Sequence, residues 1–546
     1  MLKCETSFEI PEQTKLVAEA SFPKGNLYMK MRDALGLIYE DQQFASLFSH
    51  TGQPAFAPWR LALITIMQFA EKLSDRQAAD SVRARIDWKY ALSLELTDNG
   101  FSHTVLFKFR KRLIEHQENE LLFSLMLQKL EEVGLLDKKD KQRTDSTHII
   151  ACVRNLNRVE LAGETLRSAL NALASVEPEW VQSKVPDDWF VRYGQPVDSY
   201  RLPRKEKKLH DLACQFGRDG HELMSWIFDQ PDNKWMGKIS AVETLRLIWI
   251  QQFYIEKEKV YWRESKHLPP SASQLVSPYE KDARKGKKRK TFWRGYKVHI
   301  TELCEENAPK LITNVETTLA TQQDVNCVEK IHEKLESKDL LPRHHYVDQG
   351  YTSAKNLVES ENEYGVDLMG PVPVNQSKQA NEKEGFVLQD FRIDFVTETV
   401  VCPEGQENST WREQLDRRKH PVIRATFQKS VCKACKSRPK CTTNRNGRTL
   451  TFRRQEEFKM MEKARLRQKT DEFQKGYKKR SGVEGALSQA INTMGMRRCR
   501  YRGLNKTNFQ HLMIATAMNL RRALSWLTGI PCATTKTSSF AELAYV

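Results

Sequence analysis

The chain has 546 residues, 40% of them apolar and 29% charged, a composition typical of folded protein rather than of disordered or fibrous chains. Lys and Arg outnumber Asp and Glu by 87 to 70, and the net charge of +17 favours a polyanionic partner such as nucleic acid. No apolar stretch reaches the roughly 18–20 residues of a membrane span. The first residues, MLKCETSFEIPE, lack the apolar core of a signal peptide, so we expect a cytoplasmic protein.

Residues 1–136 predict an N-terminal helical domain. Pro58 suits the first turn of one helix, and the spacing of Ser74 and Gln77 is that of a capping box. A third helix, HTVLFKFRKRLIEH, has one apolar face, with four cations mostly off it: Lys108, Arg110, Lys111 and Arg112. A basic helix in a compact bundle predicts a DNA-binding module of helix-turn-helix type. A helical scaffold with solvated cations is the alternative.

The next candidate strand covers residues 144–153 and contains Asp145. An ionised Asp inside a strand is disfavoured unless another group pairs with it, which makes Asp145 a candidate functional residue. The following residues, 155–283, have a mostly helical pattern and predict a helical insertion.

A dense basic run at residues 284–290 precedes a series of strands, and it supplies Lys287, Lys288 and Arg289 as candidate DNA contacts. The strand-like segments FWRGYKVHITE and KLITNVET follow, then a helical segment at 323–335. The short strand HHYVD ends in Asp348, beside a turn with Gly350. Strands in series followed by a helical crossover predict a mixed α/β sheet.

Four cysteines lie in a β-rich segment, residues 366–455, with the spacing C-x29-C-x2-C-x5-C: Cys402, Cys432, Cys435 and Cys441. Four thiolates satisfy a tetrahedral structural Zn²⁺. His420 is an alternative fourth ligand, and free thiols are the alternative to a zinc site. Trp411 lies in the same segment, either as a core residue or as an aromatic that holds a flipped base.

From residue 455 the pattern predicts a long charged helix. Tyr477, Arg480 and Glu484 are spaced three and then four residues apart, which places them on one helical face. Arg480 can then pair with Glu484 or with a DNA phosphate. An ordinary surface pair is the alternative. An apolar helix at 508–527 follows, and residues 531–546 predict a flexible tail.

Three carboxylates on a sheet and an adjacent helix are suited to bind the metal ions that cleave phosphodiester bonds. Phosphodiester cleavage needs an activated nucleophile and a stabilised leaving oxygen, and two divalent ions supply both. Magnesium accepts a few carboxylates together with water and substrate phosphate. Asp145, Asp348 and Glu484 are therefore candidate ligands.

The motifs Asp-Ser-Thr at residues 145–147, Asp-x-Gly-Tyr at 348–351 and Tyr-x2-Arg-x3-Glu at 477–484 resemble those of bacterial insertion-sequence DDE transposases. The branch with a cysteine-rich, zinc-binding insertion between the second Asp and the Glu is the most similar. The resemblance implies an RNase H-like core formed by residues 137–365 and 456–530. It also implies Asp145, Asp348 and Glu484 as ligands of two Mg²⁺ or Mn²⁺ ions, with Tyr477 and Arg480 as catalytic neighbours.

One departure from the family concerns a DNA contact. Many relatives carry a Lys seven residues after the catalytic Glu, and Ile491 stands there in this chain. Arg497 and Arg498 lie further along and are the candidates to replace it.

The resemblance therefore implies a transposase that cleaves 3′ ends and transfers strands at the ends of an insertion sequence. Its partners would be double-stranded DNA, as terminal repeats and target, and at least one further copy of the chain. We expect a nucleoid-associated location. A nuclease that cleaves without joining, and a silent DNA-binding descendant of a transposase, are the alternatives.

Overall fold

The computed structural model describes residues 1–5, 8–136, 139–198, 200, 202–375, 377–381, 385–417 and 419–530, so the expected tail at 531–546 lies outside the described residues. Within these ranges no helix has both the length and the apolar character that crossing a bilayer requires.

The N-terminal region is helical, as predicted. Its helices are α1 (Glu12–Ser21), α2 (Leu27–Leu35), α3 (Pro58–Ala70), α4 (Asp75–Ala84), α5 (Ile86–Ala91), α6 (Thr104–Glu115) and α7 (Leu121–Glu132). Ser74 and Gln77 form the expected capping box at the start of α4. The helix α3 is buried along nearly its whole length, which fits its continuous apolar sequence.

The central sheet has six strands: β1 (Lys141–Ile150), β4 (Arg284–Lys288), β5 (Thr291–Leu303), β6 (Ile312–Leu319), β7 (His344–Val347) and β8 (Asp367–Met369). β5 pairs antiparallel with β4, β6 and β1, whereas β7 pairs parallel with β1 and β8. The helices α13 (Val328–Glu336) and α14 (Ala354–Tyr364) provide the crossovers on either side of β7. This mixed sheet confirms the predicted α/β class and is consistent with an RNase H-like core.

A helical insertion separates β1 from β4, as predicted. It contains α8 (Arg158–Val176), α9 (Pro178–Lys184), α10 (Asp187–Tyr193), α11 (Glu206–Phe228) and α12 (Ser240–Gln252), followed by a hairpin of β2 (Phe253–Glu256) and β3 (Lys259–Trp262). The insertion has its own apolar core. The hairpin packs against α11 at Gly217, where a Cβ would lie 2.6 Å from the ring of Phe253.

A smaller insertion follows β8. Its elements are α15 (Lys378–Asn381), β9 (Arg392–Asp394), β10 (Thr399–Val401), β11 (Thr410–Leu415), β12 (Pro421–Thr426), α16 (Lys429–Ala434), α17 (Arg438–Cys441) and β13 (Thr449–Phe452). A separate apolar cluster supports it. Trp411 belongs to this cluster, with its ring centroid 5.9 Å from that of Phe395 and 5.3 Å from that of Phe452. These contacts match the core alternative for Trp411.

The C-terminal region differs from the long helix expected. It consists of α18 (Gln455–Arg467), α19 (Asp471–Tyr477), a 3₁₀ turn (Lys478–Ser481), α20 (Gly482–Met494) and α21 (Leu504–Leu527). The chain leaves the helix between α18 and α19, whereas α19, the 3₁₀ turn and α20 follow one another with right-handed helical backbone. The 3₁₀ turn lies where the chain meets the sheet: a Cβ on Gly482 would lie 2.1 Å from the guanidinium of Arg143, which donates to the carbonyl of Lys479. Tyr477, Arg480 and Glu484 therefore share one helical stretch that includes a 3₁₀ turn.

The helix α21 joins the N-terminal helices to the sheet. It packs against α3 and α7 on one side and β6 on the other, and Asn519 bonds the backbone of Ile312 twice. The N-terminal region and the sheet consequently share one continuous apolar core.

Candidate active site

Asp145 and Asp348 lie next to each other at one edge of the sheet. β1 and β7 run parallel with Thr144 opposite Val347, so the next residue on each strand is a candidate carboxylate. Neighbouring strands lie about 4.8 Å apart, which keeps the two side chains close. Asp145 is buried, whereas Asp348 directly follows β7 and is half-buried.

Arg480 links the sheet to the third carboxylate. Its guanidinium Nη2 lies 2.6 Å from Oδ2 of Asp145, and its Nη1 lies 3.4 Å from Oε1 of Glu484. Glu484 lies in the first turn of α20, and its side chain is 65% exposed. The 3₁₀ turn and the start of α20 therefore place Arg480 and Glu484 on the side that faces Asp145.

The electrostatics show one neighbourhood of mutually interacting groups. Burial raises the pKa of Asp145, with Asp348 adding to the rise, while Arg480 and Lys288 act against it. Burial also raises the pKa of Tyr477, whose hydroxyl interacts with all three carboxylates and with Arg480. The ring of Tyr477 stacks on that of Phe473, with centroids 5.5 Å apart and planes 6° apart.

The carboxylates are not in a metal-binding arrangement in this structure. Among the described residues, no three His, Cys, Asp or Glu side chains converge closely enough to hold a metal ion. At this site a cationic group, the Arg480 guanidinium, contacts two of the carboxylates instead. The chemistry of the donor set fits divalent ions, because carboxylates are the ligands that Mg²⁺ and Mn²⁺ prefer.

A buried ion network behind the site was not predicted from the sequence. Glu302, whose side chain is 1% exposed, lies 2.6 Å from Arg143 and 2.7 Å from Arg522. Arg522 also donates to Gln489 on α20, at 2.9 and 3.1 Å. The network thus joins β1, β5 and α21 to the helix that carries Glu484. Glu302 gave part of the signal, as a charged residue at the end of a predicted strand, whereas Arg143 precedes the strand predicted at 144–153.

His299 is structural rather than exposed to the site. Burial lowers its pKa to about 4, so the ring is neutral near pH 7, and its Nδ1 lies 2.7 Å from the hydroxyl of the buried Tyr351. His148 is half-buried, and its ring lies 5.2 Å from that of Trp293.

The cations expected to contact DNA differ in their environments. Arg110 is buried and pairs with Asp75 at 2.5 Å, so the expectation that it faces DNA is corrected: it holds α6 against α4. The other cations of α6 are exposed, namely Lys108, Lys111 and Arg112. The basic run at 284–290, expected to precede the strands, forms β4 and the following turn, and Lys287, Lys288 and Arg289 are exposed there.

Arg497 lies in the turn after α20 and contacts β1, the strand that carries Asp145. Its guanidinium donates to Oγ1 of Thr147 at 3.0 Å, and Thr147 lies two residues beyond Asp145 on the same face of β1. Arg498 is exposed.

The four cysteines of the smaller insertion line one small cavity of about 30 Å³. Two sulfur atoms accept backbone hydrogen bonds, Cys402 from Gln406 at 3.3 Å and Cys432 from Arg448 at 3.4 Å. Burial raises the pKa of the Cys441 thiol. The alternative ligand His420 lies in the turn between β11 and β12 and lines a different cavity.

That other cavity is a large cleft of about 1490 Å³ between the sheet and the smaller insertion. Gly350 and Lys355 line it on the sheet side, His420 and Arg453 line it on the insertion side, and Arg465 of α18 also lines it. Since Gly350 lies two residues after Asp348, the cleft opens beside the candidate active site.

Comparison with protein families gives two matches. Residues 401–524 match the family described as Transposase DDE domain, and residues 16–112 match the Transposase domain (DUF772). The first match spans the cysteines and Glu484; the second spans most of the N-terminal helices. No curated protein matches the chain.

Both families are transposase families, which confirms the resemblance to insertion-sequence DDE transposases. Two separate segments of the chain are therefore similar to transposase families, and transposases are enzymes that act on DNA. DDE transposase domains generally use divalent metal ions.

Proposed function

We propose that this transposase cleaves the 3′ ends of its element and joins them to target DNA, with Asp145, Asp348 and Glu484 as ligands of two Mg²⁺ or Mn²⁺ ions. The observation that carries the proposal is the register of β1 and β7. It places Asp145 beside Asp348, and the contacts of Arg480 add Glu484. When bound, such ions activate the attacking oxygen and carry charge on the leaving oxygen.

The chain's own residues would position the reacting groups. Asp145 is fixed by the backbone N–H of Ser146 at 2.7 Å, and Asp348 by that of Gln349 at 2.7 Å. Glu484 is the most exposed of the three carboxylates and would swing inward when metal binds. Arg480 would then be free of one carboxylate and available for a phosphate oxygen, which its planar fork suits.

DNA binding is assigned to the exposed cations of α6, the β4 turn and Arg497–Arg498, and the cleft beside Gly350 offers a path for a strand. Two element ends need two active sites, so we propose a homodimer or a larger assembly on DNA. Affinity should fall strongly with salt, because phosphate contacts release counterions.

The test uses labelled element ends and a target duplex in Mg²⁺ buffer. We expect nicked 3′ ends first and joined product later. Glu484→Gln should abolish both, whereas Glu413→Gln should abolish neither. Glu413 is the matched control because it is similarly exposed, at 59%, and also pairs with an arginine, Arg454.

Three results would contradict parts of this proposal. Cleavage without joined product identifies a nuclease, and DNA binding without cleavage identifies a silent descendant. Cleavage that survives Glu484→Gln removes Glu484 from the site.

We also propose that Cys402, Cys432, Cys435 and Cys441 bind a structural Zn²⁺. Their shared cavity and the N–H···S bonds support this, since four thiolates form a closed tetrahedral site. Metal analysis of the purified chain should find one zinc per molecule, and Cys432→Ser should lose it. Cys214→Ser, in the helical insertion, is the control and should retain it. A zinc-free wild-type chain whose melting temperature does not respond to added Zn²⁺ would contradict the site.

A further inference from the structure

The β4–β5 hairpin, residues 284–293, is an exposed basic element beside the active site. Its turn and outer strand carry five exposed cations: Lys285, Lys287, Lys288, Arg289 and Lys290. None of these five forms an ion pair with a described residue, and no acidic residue interrupts them. Five unpaired like charges repel one another in the folded protein, and an anionic partner would neutralise them.

Phe292 is exposed in the middle of this charge. Its side chain is 58% exposed, while the next residue, Trp293, is 6% exposed. Trp293 is fixed over Gly286, where a Cβ would lie 2.3 Å from the indole, and it donates from Nε1 to the carbonyl of Tyr296 at 3.0 Å. Since neighbouring side chains on a strand point to opposite faces, this anchoring directs Phe292 outward.

The ammonium groups of two lysines lie over the ring of Phe292, and its side chain is still 58% exposed. The ammonium of Lys287 lies 5.1 Å from the ring centroid, and that of Lys285 lies 5.5 Å from it. An ammonium group is attracted to the face of an aromatic ring, which keeps the two lysines beside Phe292. The hairpin thus presents an exposed aromatic surface together with cations that can contact phosphates.

The hairpin adjoins β1, the strand that carries Asp145. At Gly295, whose φ is +146°, β5 lies so close to β1 that a Cβ would be 2.3 Å from the carbonyl oxygen of Ile149. The ring of Trp293 lies 5.2 Å from that of His148, which is three residues after Asp145 on β1. Lys288 at the hairpin turn is near enough to act electrostatically on both Asp145 and His148. The hairpin therefore lies beside the strand that carries Asp145, so DNA bound at the active site would extend along it.

We propose that Phe292 stacks on an unpaired nucleobase of the DNA strand held at the active site, while the hairpin cations contact the flanking phosphates. The inference rests on the proposed function. Aromatic side chains bind exposed bases in this way, because every base presents a π-face. A second copy of this chain is a poor occupant, since a chain of net charge +17 offers few complementary acids to five adjacent cations.

The test is photochemical and independent of turnover. Terminal-repeat duplexes carry 5-iodouracil at successive positions around the cleavage site and are irradiated with the full-length protein in Ca²⁺ buffer, and crosslinked residues are mapped by mass spectrometry. We expect one position to crosslink to Phe292. Phe292→Tyr should keep the crosslink, and Phe292→Leu, which retains apolar bulk without a ring, should lose it.

Affinity supplies the second measurement. Stacking on an aromatic contributes about 1–3 kcal/mol per base, so Phe292→Leu should weaken DNA binding by about 5- to 150-fold. The control is Phe190→Leu in the helical insertion, because Phe190 is similarly exposed at 53%. This control should bind DNA like wild type.

The outcomes separate this inference from the proposed function. If wild type cleaves and joins DNA while no base crosslinks to Phe292, the stacking role is wrong and the transposase proposal stands. If Phe292 crosslinks but no joined product forms, the stacking role stands and the strand-transfer proposal is wrong. A change in the sedimentation of DNA-free Phe292→Leu, with unchanged DNA affinity, would identify the hairpin as a contact between copies and overturn the inference.

Discussion

Two buried Asp–Arg pairs in this chain have the same geometry and very different surroundings. Asp219 and Arg192 in the helical insertion lie 2.6 Å apart, as do Asp145 and Arg480 at the candidate active site. Asp219 also accepts hydrogen bonds from the hydroxyl of Tyr193 at 2.5 Å and from the amide of Gln215 at 2.6 Å. The Asp219 carboxylate is thus satisfied by Arg192 and Tyr193 of α10 and by Gln215 of its own helix. The only other described carboxylate in an ion pair with Arg192 is the exposed Asp188.

The Asp145 pair instead has an excess of negative charge. Arg480 is shared between Asp145 and Glu484, Asp348 lies on the adjacent strand, and Oδ1 of Asp145 accepts from the backbone N–H of the next residue, Ser146. Three carboxylates around one guanidinium are undercompensated, and this costs stability unless further cations bind. From this comparison we predict that the Asp219 pair stabilises the fold and that the Asp145 pair serves ligand binding.

The sharpest test of this difference exchanges each Asp for Asn. Asp145→Asn should lower the cleavage rate by about 10³-fold, because a metal ligand contributes several kcal/mol of transition-state stabilisation. It should change the free energy of unfolding by less than about 1 kcal/mol, since it also relieves repulsion among like charges. Rates on labelled ends and urea melts measure both effects.

Asp219→Asn is the matched variant and should behave in the opposite way. Leaving Arg192 and Tyr193 without a buried carboxylate should lower the free energy of unfolding by about 3 kcal/mol. The folded fraction should cleave DNA at the wild-type rate. Equal losses of activity and stability in the two variants would mean that the distinction drawn from their surroundings is wrong.

A second prediction concerns the buried network of Glu302, Arg143 and Arg522 behind the site. As in the Asp219 pair, each oxygen of the carboxylate has a cationic or hydrogen-bonding partner. Glu302→Gln leaves Arg143 and Arg522 buried without their counter-charge, so the free energy of unfolding should fall by about 3–5 kcal/mol. The measurement is urea unfolding followed by circular dichroism. Glu398→Gln, on an exposed turn, is the control and should unfold like wild type. An unchanged midpoint for Glu302→Gln would show that the network does not hold the Glu484 helix in place.

The sequence predicts the residues of the candidate site better than the long-range contacts that hold them in place. Asp145 is recognisable as a charged residue inside a strand pattern and Asp348 as the end of one, and the family motifs connect them with Glu484. The 3₁₀ turn between α19 and α20 could not be predicted from spacing, because it lies against Arg143, which reaches Gly482 from a strand more than 300 residues away. Arg110 was misplaced for the same reason: its partner, Asp75, is on another helix, and periodicity alone put the arginine near the polar boundary.

The smallest expected effect concerns Arg497 and is measured as a change in the salt dependence of DNA binding. If cations near the Asp145 pair serve the substrate, Arg497→Ala should reduce the slope of log affinity against log salt by about 1, the contribution of roughly one phosphate contact. Arg497→Lys keeps the charge and should preserve the slope, although it loses the bond to Thr147. Arg246→Ala, in the helical insertion and paired with Glu243, should leave the slope unchanged. DNA-binding titrations at several salt concentrations measure all three slopes. A slope that Arg497→Ala leaves unaltered would assign Arg497 to holding β1 rather than DNA, and Arg498 would become the remaining candidate to replace the lysine that Ile491 displaces.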